Sequence, residues 1–263
     1  MKHLLLKFIL LVALFFGVWF ALQQVPWVRV LRIQQFTSEK QKQVGDLILK
    51  AIKIDKQEVK NDSLSGNLEL IKNRICLSNG IDTSSVHIFV LKSSEVNAFV
   101  LPGNNMIIYS ALISECDNAE MLAGVMAHEL AHIEGGHVAK KLIKEVGISA
   151  LLMLSGNGQH SGIVTKIIKT ITSTGFDREQ EREADRKAVQ FMETAGIDPK
   201  PLALFFDKLQ SKQTEIPEAF QWMSTHPASE ERSKNIIAQA NGKTEYRPLI
   251  DQRNWEKILE ELP

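Results

Sequence analysis

The feature that most constrains this chain is the stretch 119–133, where Met121, Leu122, Val125, Met126, Leu130 and Ile133 surround His128, Glu129 and His132. The apolar positions recur at helical spacing, Asp117 or Asn118 stands where a cap belongs, and Gly135-Gly136 is a natural helix stop. A helix this apolar has to be buried. Burying ionisable side chains with it is costly unless each finds a partner, so the rest of the fold must bring partners to it.

A metal ion with supporting carboxylates is one such set of partners. In His128-Glu129-Leu130-Ala131-His132 the two histidines lie four residues apart, which turns an α-helix by about 400° and points both imidazoles from one face. Neutral imidazole suits zinc, and the pattern predicts one zinc ion per chain. Glu129 then sits beside the pair, where its carboxylate can take a proton from water that the metal activates. A catalytic zinc keeps one position open, so a third protein ligand is required.

The extension His-Glu-x-x-His-x-x-Gly-x-x-His would put that ligand at the motif's eleventh position, but there Gly135 matches and the last position is Val138. His137 comes one residue early, about 100° away around a helix, and reads as a structural or surface histidine. The better source is the segment from Asp177 to Asp185, in which Glu181 and Asp185 share a helix face, so that one can bind metal and the other fix a ligand histidine. A solvated charged helix accounts for its other members, Glu179, Arg182, Glu183 and Arg186.

With Arg178-x-x-Glu181-x-x-x-Asp185 and His226-Pro227, the chain resembles the gluzincin peptidase family that contains the CAAX prenyl protease, HtpX, BepA and the mitochondrial protease Oma. The likeness runs from Asn97 to Arg232, although Asn104-Asn105 replaces the family's more usual glycine and small residue, and Asp177 its usual serine. The resemblance implies Glu181 as the third zinc ligand, with Asp185 and Arg178 supporting the site from behind. His226, with Pro227 and Arg232, resembles a motif whose histidine lies near the metal, either as a catalytic group stabilising the transition state or as a cap on a resting zinc. The implied activity is zinc-dependent endoproteolysis of protein or peptide substrates in envelope quality control. The alternative is a chaperone or assembly factor with a structural or latched zinc.

The remaining pattern frames this site. Leu4 to Leu22 is apolar except for Lys7 and would be about 28 Å long as a helix, near the thickness of a bilayer's hydrocarbon core. Residues 1–30 therefore read as a membrane anchor, or a signal segment if cleaved, with Arg29 and Arg32 just beyond the run. Residues 31–263 form one catalytic domain, expected to be extracytoplasmic, in a periplasm for instance, or secreted after cleavage. The expected class is α+β, mostly α-helical. Strands at 86–90 and 106–110, with Pro102-Gly103-Asn104-Asn105 turning between them, form a small antiparallel sheet packed against the helix at 119–132, and substrate adds as a strand beside Met106 to Ser110. Helices are predicted at 38–54, 68–77, 141–154, 177–193, 201–210 and 228–240, with loops at 61–67 and 155–158. Lys and Arg number 31, as do Asp and Glu, so no net field favours nucleic acid. Cys76 and Cys116 can form one disulfide or remain two thiols.

Overall fold

The computed structural model describes residues 2–24, 36–154, 161–213, 219–227, 230–240 and 245–263. Arg29, Arg32 and the expected loop 155–158 lie outside them. The first helix, α1 (Lys2–Gln24), contains the Leu4 to Leu22 run. No helix among the described residues is long and apolar enough to cross a membrane.

Helix α2 (Ser38–Asp55) buries Val44, Ile48 and Ile52 at four-residue steps behind the Thr37 cap. Helix α3 (Asp62–Ser78) begins six residues before the expected start at Leu68 and takes in most of the expected loop 61–67, because Asn61 is a cap: its Oδ1 accepts from Leu64 N at 2.9 Å. Leu64, Leu68, Ile71 and Ile75 then make one apolar stripe. The Asn/Asp/Ser cluster is thus helix-start chemistry, not loop chemistry.

The sheet departs from expectation. It has three strands in the order β1-β3-β2, where β1 (His87–Leu91) runs parallel to β3 (Asn105–Tyr109) and only β2 (Ala98–Leu101) pairs antiparallel with β3. The turn at 102–104 therefore joins β2 to β3, with Asn104 at φ 61°, a left-handed conformation that asparagine tolerates better than most residues. β3 is the central strand, paired on both sides, so Met106 to Ser110 offers no free edge for a substrate strand.

After the short α4 (Ser110–Glu115), helix α5 (Ala119–Glu134) carries the two histidines and the glutamate through the middle of the molecule. The next expected helix is two: α6 (His137–Glu145) and α7 (Ile148–Leu154), broken at Gly147, whose φ of 94° only glycine adopts without strain. Helix α8 (Ser161–Ser173) is rich in Ile, Val and Thr, a strand-like composition that local pattern does not mark as helical. Then follow α9 (Arg178–Thr194), α10 (Lys200–Gln213), α11 (Gln221–Thr225), α12 (Glu230–Gln239) and α13 (Gln252–Glu260). Helix α9 lies along α5, with α10 and β2 also packed against α5. Small fully buried residues, Ala127 and Ala131 on α5 and Ala184 and Ala188 on α9, allow close approach. Cys76 and Cys116 are two buried free thiols, and burial pushes the Cys76 thiol up to about 11.

Candidate metal centre

His128, Glu129, His132 and His226 are fully buried, and Glu181 nearly so. One donor atom from each of His128, His132, Glu181 and His226 lies within 4.8 Å of the others. Helix α5 supplies the first two, the first turn of α9 supplies Glu181, and the residue after α11 supplies His226. His128 Nε2 stands 3.1 Å from His132 Nε2 and 3.2 Å from His226 Nδ1. Glu181 Oε1 stands 3.0 Å from His226 Nδ1 and 3.4 Å from His132 Nε2.

These spacings suit a metal. Bonds of about 2.0–2.1 Å in a tetrahedral zinc site place ligand atoms roughly 3.3 Å apart, and nitrogen and oxygen donors converge here at that scale. The donor set of imidazoles and one carboxylate has the borderline softness zinc prefers.

Around the donors stands a supporting layer. His128 Nδ1 is 3.1 Å from Asp185 Oδ1, which orients the ring with Nε2 towards the cluster. Arg232 holds that carboxylate from the far side, donating from Nε and Nη2 at 2.7 Å each, and its Nη2 also lies 2.8 Å from Glu181 Oε2. Arg178, expected behind the site, is exposed at the start of α9, and the guanidinium between the carboxylates is that of Arg232. His137 is buried rather than superficial. Its Nδ1 lies 3.0 Å from His132 Nδ1 and its Nε2 3.4 Å from Glu183 Oε2, so a carboxylate-imidazole chain backs the second histidine. Gly135 makes room for this ring, since a Cβ there would fall 2.4 Å from His137 Nε2. No spacing rule announces His137, because the contact depends on the chain folding back after α5.

Glu129 has a different neighbourhood. Its Oε1 accepts from Trp222 Nε1 at 3.3 Å and lies 3.3 Å from His226 Nε2. The indole of Trp222 stacks on His226 at 4.9 Å, and Phe176 stacks on His132 at 4.1 Å, so aromatic walls close the site.

The electrostatics follow from burial and pairing. Burial pushes Glu129 above the usual carboxylate range, with His226 and His128 opposing. Burial also raises Glu181, but the charge of His226 and hydrogen bonds from His128 and His132 prevail and hold it well below that range. Burial likewise works against Asp185, which Arg232 and His128 hold low. Burial lowers His128, yet its bonds to Asp185 and Glu181 carry it up to about 9. Burial dominates at His132 and holds it well below the ordinary imidazole value.

The sequence pattern of peptidase family M48 matches residues 64–240, which span every residue of this centre. The chain belongs to that family. Among its relatives, the beta-barrel assembly-enhancing protease of Escherichia coli strain K12 is 25% identical over 230 residues, covering 82% of this chain and 46% of the relative. The mitochondrial metalloendopeptidase OMA1 of Schizosaccharomyces pombe is 27% identical over 171 residues, 63% of this chain and 50% of that protein. OMA1 of Saccharomyces cerevisiae is 28% identical over 186 residues, 65% and 52% respectively. The chain spans about half the length of these relatives.

One prediction tests the supporting layer. His137→Ala should weaken zinc binding by about 10–100-fold, the usual cost of losing a group that orients a ligand histidine. Competition with a chromophoric chelator measures it; an unchanged affinity would mean that His137 only fills space.

Proposed function

We propose that the chain is a zinc-dependent metalloendopeptidase held in a closed resting state, with membership of family M48 and the buried set His128, His132, Glu181 beside Glu129 as its support. Bound there, zinc supplies Lewis-acid polarisation of a scissile carbonyl and acidifies water. His128, His132 and Glu181 would hold it. Asp185, His137 and Arg232 keep the ligand rings and carboxylate in their orientations. Glu129 takes the proton from the attacking water and returns it to the leaving amine. Its Oε2 is buried without a hydrogen-bond partner among the described residues, which leaves it available for that proton.

The observation that carries the closed state is the position of His226. With Nδ1 among the donors and Nε2 on Glu129, the ring occupies both the fourth ligand position and the base. A catalytic zinc needs that position free, so His226 acts as a latch. The chain before it also bonds to the segment leading into β2: Val96 N donates to Ala219 O at 2.7 Å, and Trp222 N donates to Val96 O at 3.0 Å. Val96 precedes β2, the strand nearest α5. An extended substrate adding beside β2 would compete for those backbone groups and displace His226 with them.

Casein cleavage by zinc-loaded protein tests both parts. His226→Ala should keep one zinc per chain and cleave several-fold faster than the unsubstituted protein. Slower cleavage with zinc retained would instead make His226 part of the chemistry.

A second reading, a chaperone or assembly factor with a permanently latched zinc, draws on the same four-donor closure and predicts a cellular role that survives Glu129→Gln. Membrane attachment through Leu4 to Leu22 belongs to the proposal as well. Leu11, Leu14 and Phe15 of α1 are about two-thirds exposed, apolar surface that a lipid phase would cover. The envelope quality-control role takes further support from the likeness to the beta-barrel assembly-enhancing protease of Escherichia coli.

A further inference from the structure

Beside the metal centre is a cavity of about 530 Å³ that the reaction above does not use. It begins at Glu181, Phe176 and Pro227, the residue after His226, and runs between α9 and α12. Its α9 wall carries Arg178, Arg182 and Arg186 at successive four-residue steps, which places three guanidinium groups along one helix face. The α12 wall adds Arg232, Asn235, Gln239 and one acid, Glu231.

The charges around this cavity do not cancel. Glu181 and Asp185 are turned to the histidines and to Arg232, which engage their carboxylate oxygens. Arg182 has an exposed partner, Glu179, at 3.4 Å, a surface pair worth little. Neither Arg178 nor Arg186 has a hydrogen-bond or ion-pair partner among the described residues. On the α9 wall, then, Arg178 and Arg186 are without such partners and Arg182 has only a surface pair, while Glu231 is the one lining carboxylate that does not belong to the metal centre. Guanidinium forks match carboxylates with paired hydrogen bonds, and the half-enclosed setting strengthens each pair relative to open solvent.

We propose that this cavity is a substrate subsite for a carboxylate, an acidic side chain or free C-terminus close to the bond being cut. The proposal rests on the peptidase reading, because the occupant is taken to be substrate. That choice follows from position: Glu181, one of the proposed metal ligands, and Pro227, the residue after His226, are in the cavity wall, so the cavity adjoins the place where a peptide would be held.

The test measures binding, independent of turnover. Fluorescein-labelled decapeptides carrying Glu at successive positions, each matched with a Gln version, are titrated into the zinc-loaded full chain bearing Glu129→Gln, and a free-acid peptide is compared with its C-terminal amide. The expected result is at least tenfold tighter binding for Glu at one position, or for the free acid. That ratio should fall towards one when Arg182→Gln and Arg186→Gln are added. Ratios within twofold everywhere, or a preference that survives both substitutions, would overturn the proposal. So would saturation by inorganic phosphate without any carboxylate preference, which would mark a phosphate site. Turnover of the same peptides by protein with Glu129 intact is read separately, and a retained binding ratio without cleavage counts against the peptidase reading alone.

Discussion

Glu129→Gln should retain one zinc per chain while casein cleavage falls by at least about a hundredfold, within the 10²–10⁴ range attributed to a positioned general base. The amide keeps the size of the carboxylate and can still accept from Trp222 Nε1 through its carbonyl oxygen. It cannot take a proton from water. Glu129 is outside the donor set, so metal content should not change. Metal analysis alongside the cleavage assay separates the two effects. Equal cleavage by both proteins would end the proposed mechanism, and loss of zinc in the variant would mean that Glu129 is a ligand.

The second large effect is on stability. Arg232→Ala is expected to cost about 3–5 kcal/mol, because removing one partner of a buried ion pair leaves the other charge uncompensated. Arg232 is 7% exposed and donates to both oxygens of Asp185 at 2.7 Å, with Pro227 O taking a further bond at 2.9 Å. Its guanidinium also lies over Phe206, 4.6 Å from the ring centre. Urea unfolding of the zinc-loaded chain would measure the change. A loss under about 1 kcal/mol would show that solvent reaches Asp185 and Glu181 when the guanidinium is gone.

These two residues differ in how far they could be read from sequence. Glu129 lies between histidines four residues apart, and one turn of helix suffices to place all three. Arg232 meets Asp185 across 47 residues of chain, a distance over which helical periodicity carries no information. Glu181 is intermediate: the pattern offered it and Asp185 as a metal ligand and an orienting group without assigning either, and family resemblance made the assignment. In the structure Glu181 lies with the donors and Asp185 lies on His128 Nδ1. The parallel pairing of β1 with β3 was illegible for a related reason. Parallel neighbours need a crossover, and β2 is a four-residue strand too short to announce itself.

The sequence by itself determined that a helix with His128, Glu129 and His132 on it would be buried, that this helix would start near Asn118 and stop at Gly135, and that metal-type donors would have to surround it. Those are consequences of local spacing, capping and apolar periodicity. Only the tertiary structure decided that His226 comes in as a fourth donor, that His137 and Arg232 brace the ligands, and that arginines line a cavity beside them. Each of these depends on α6 and α9 docking on α5, on α11 packing against α8 and α10, and on α12 packing against α9 and α10, and that docking is set by complementary packing between segments far apart in the chain.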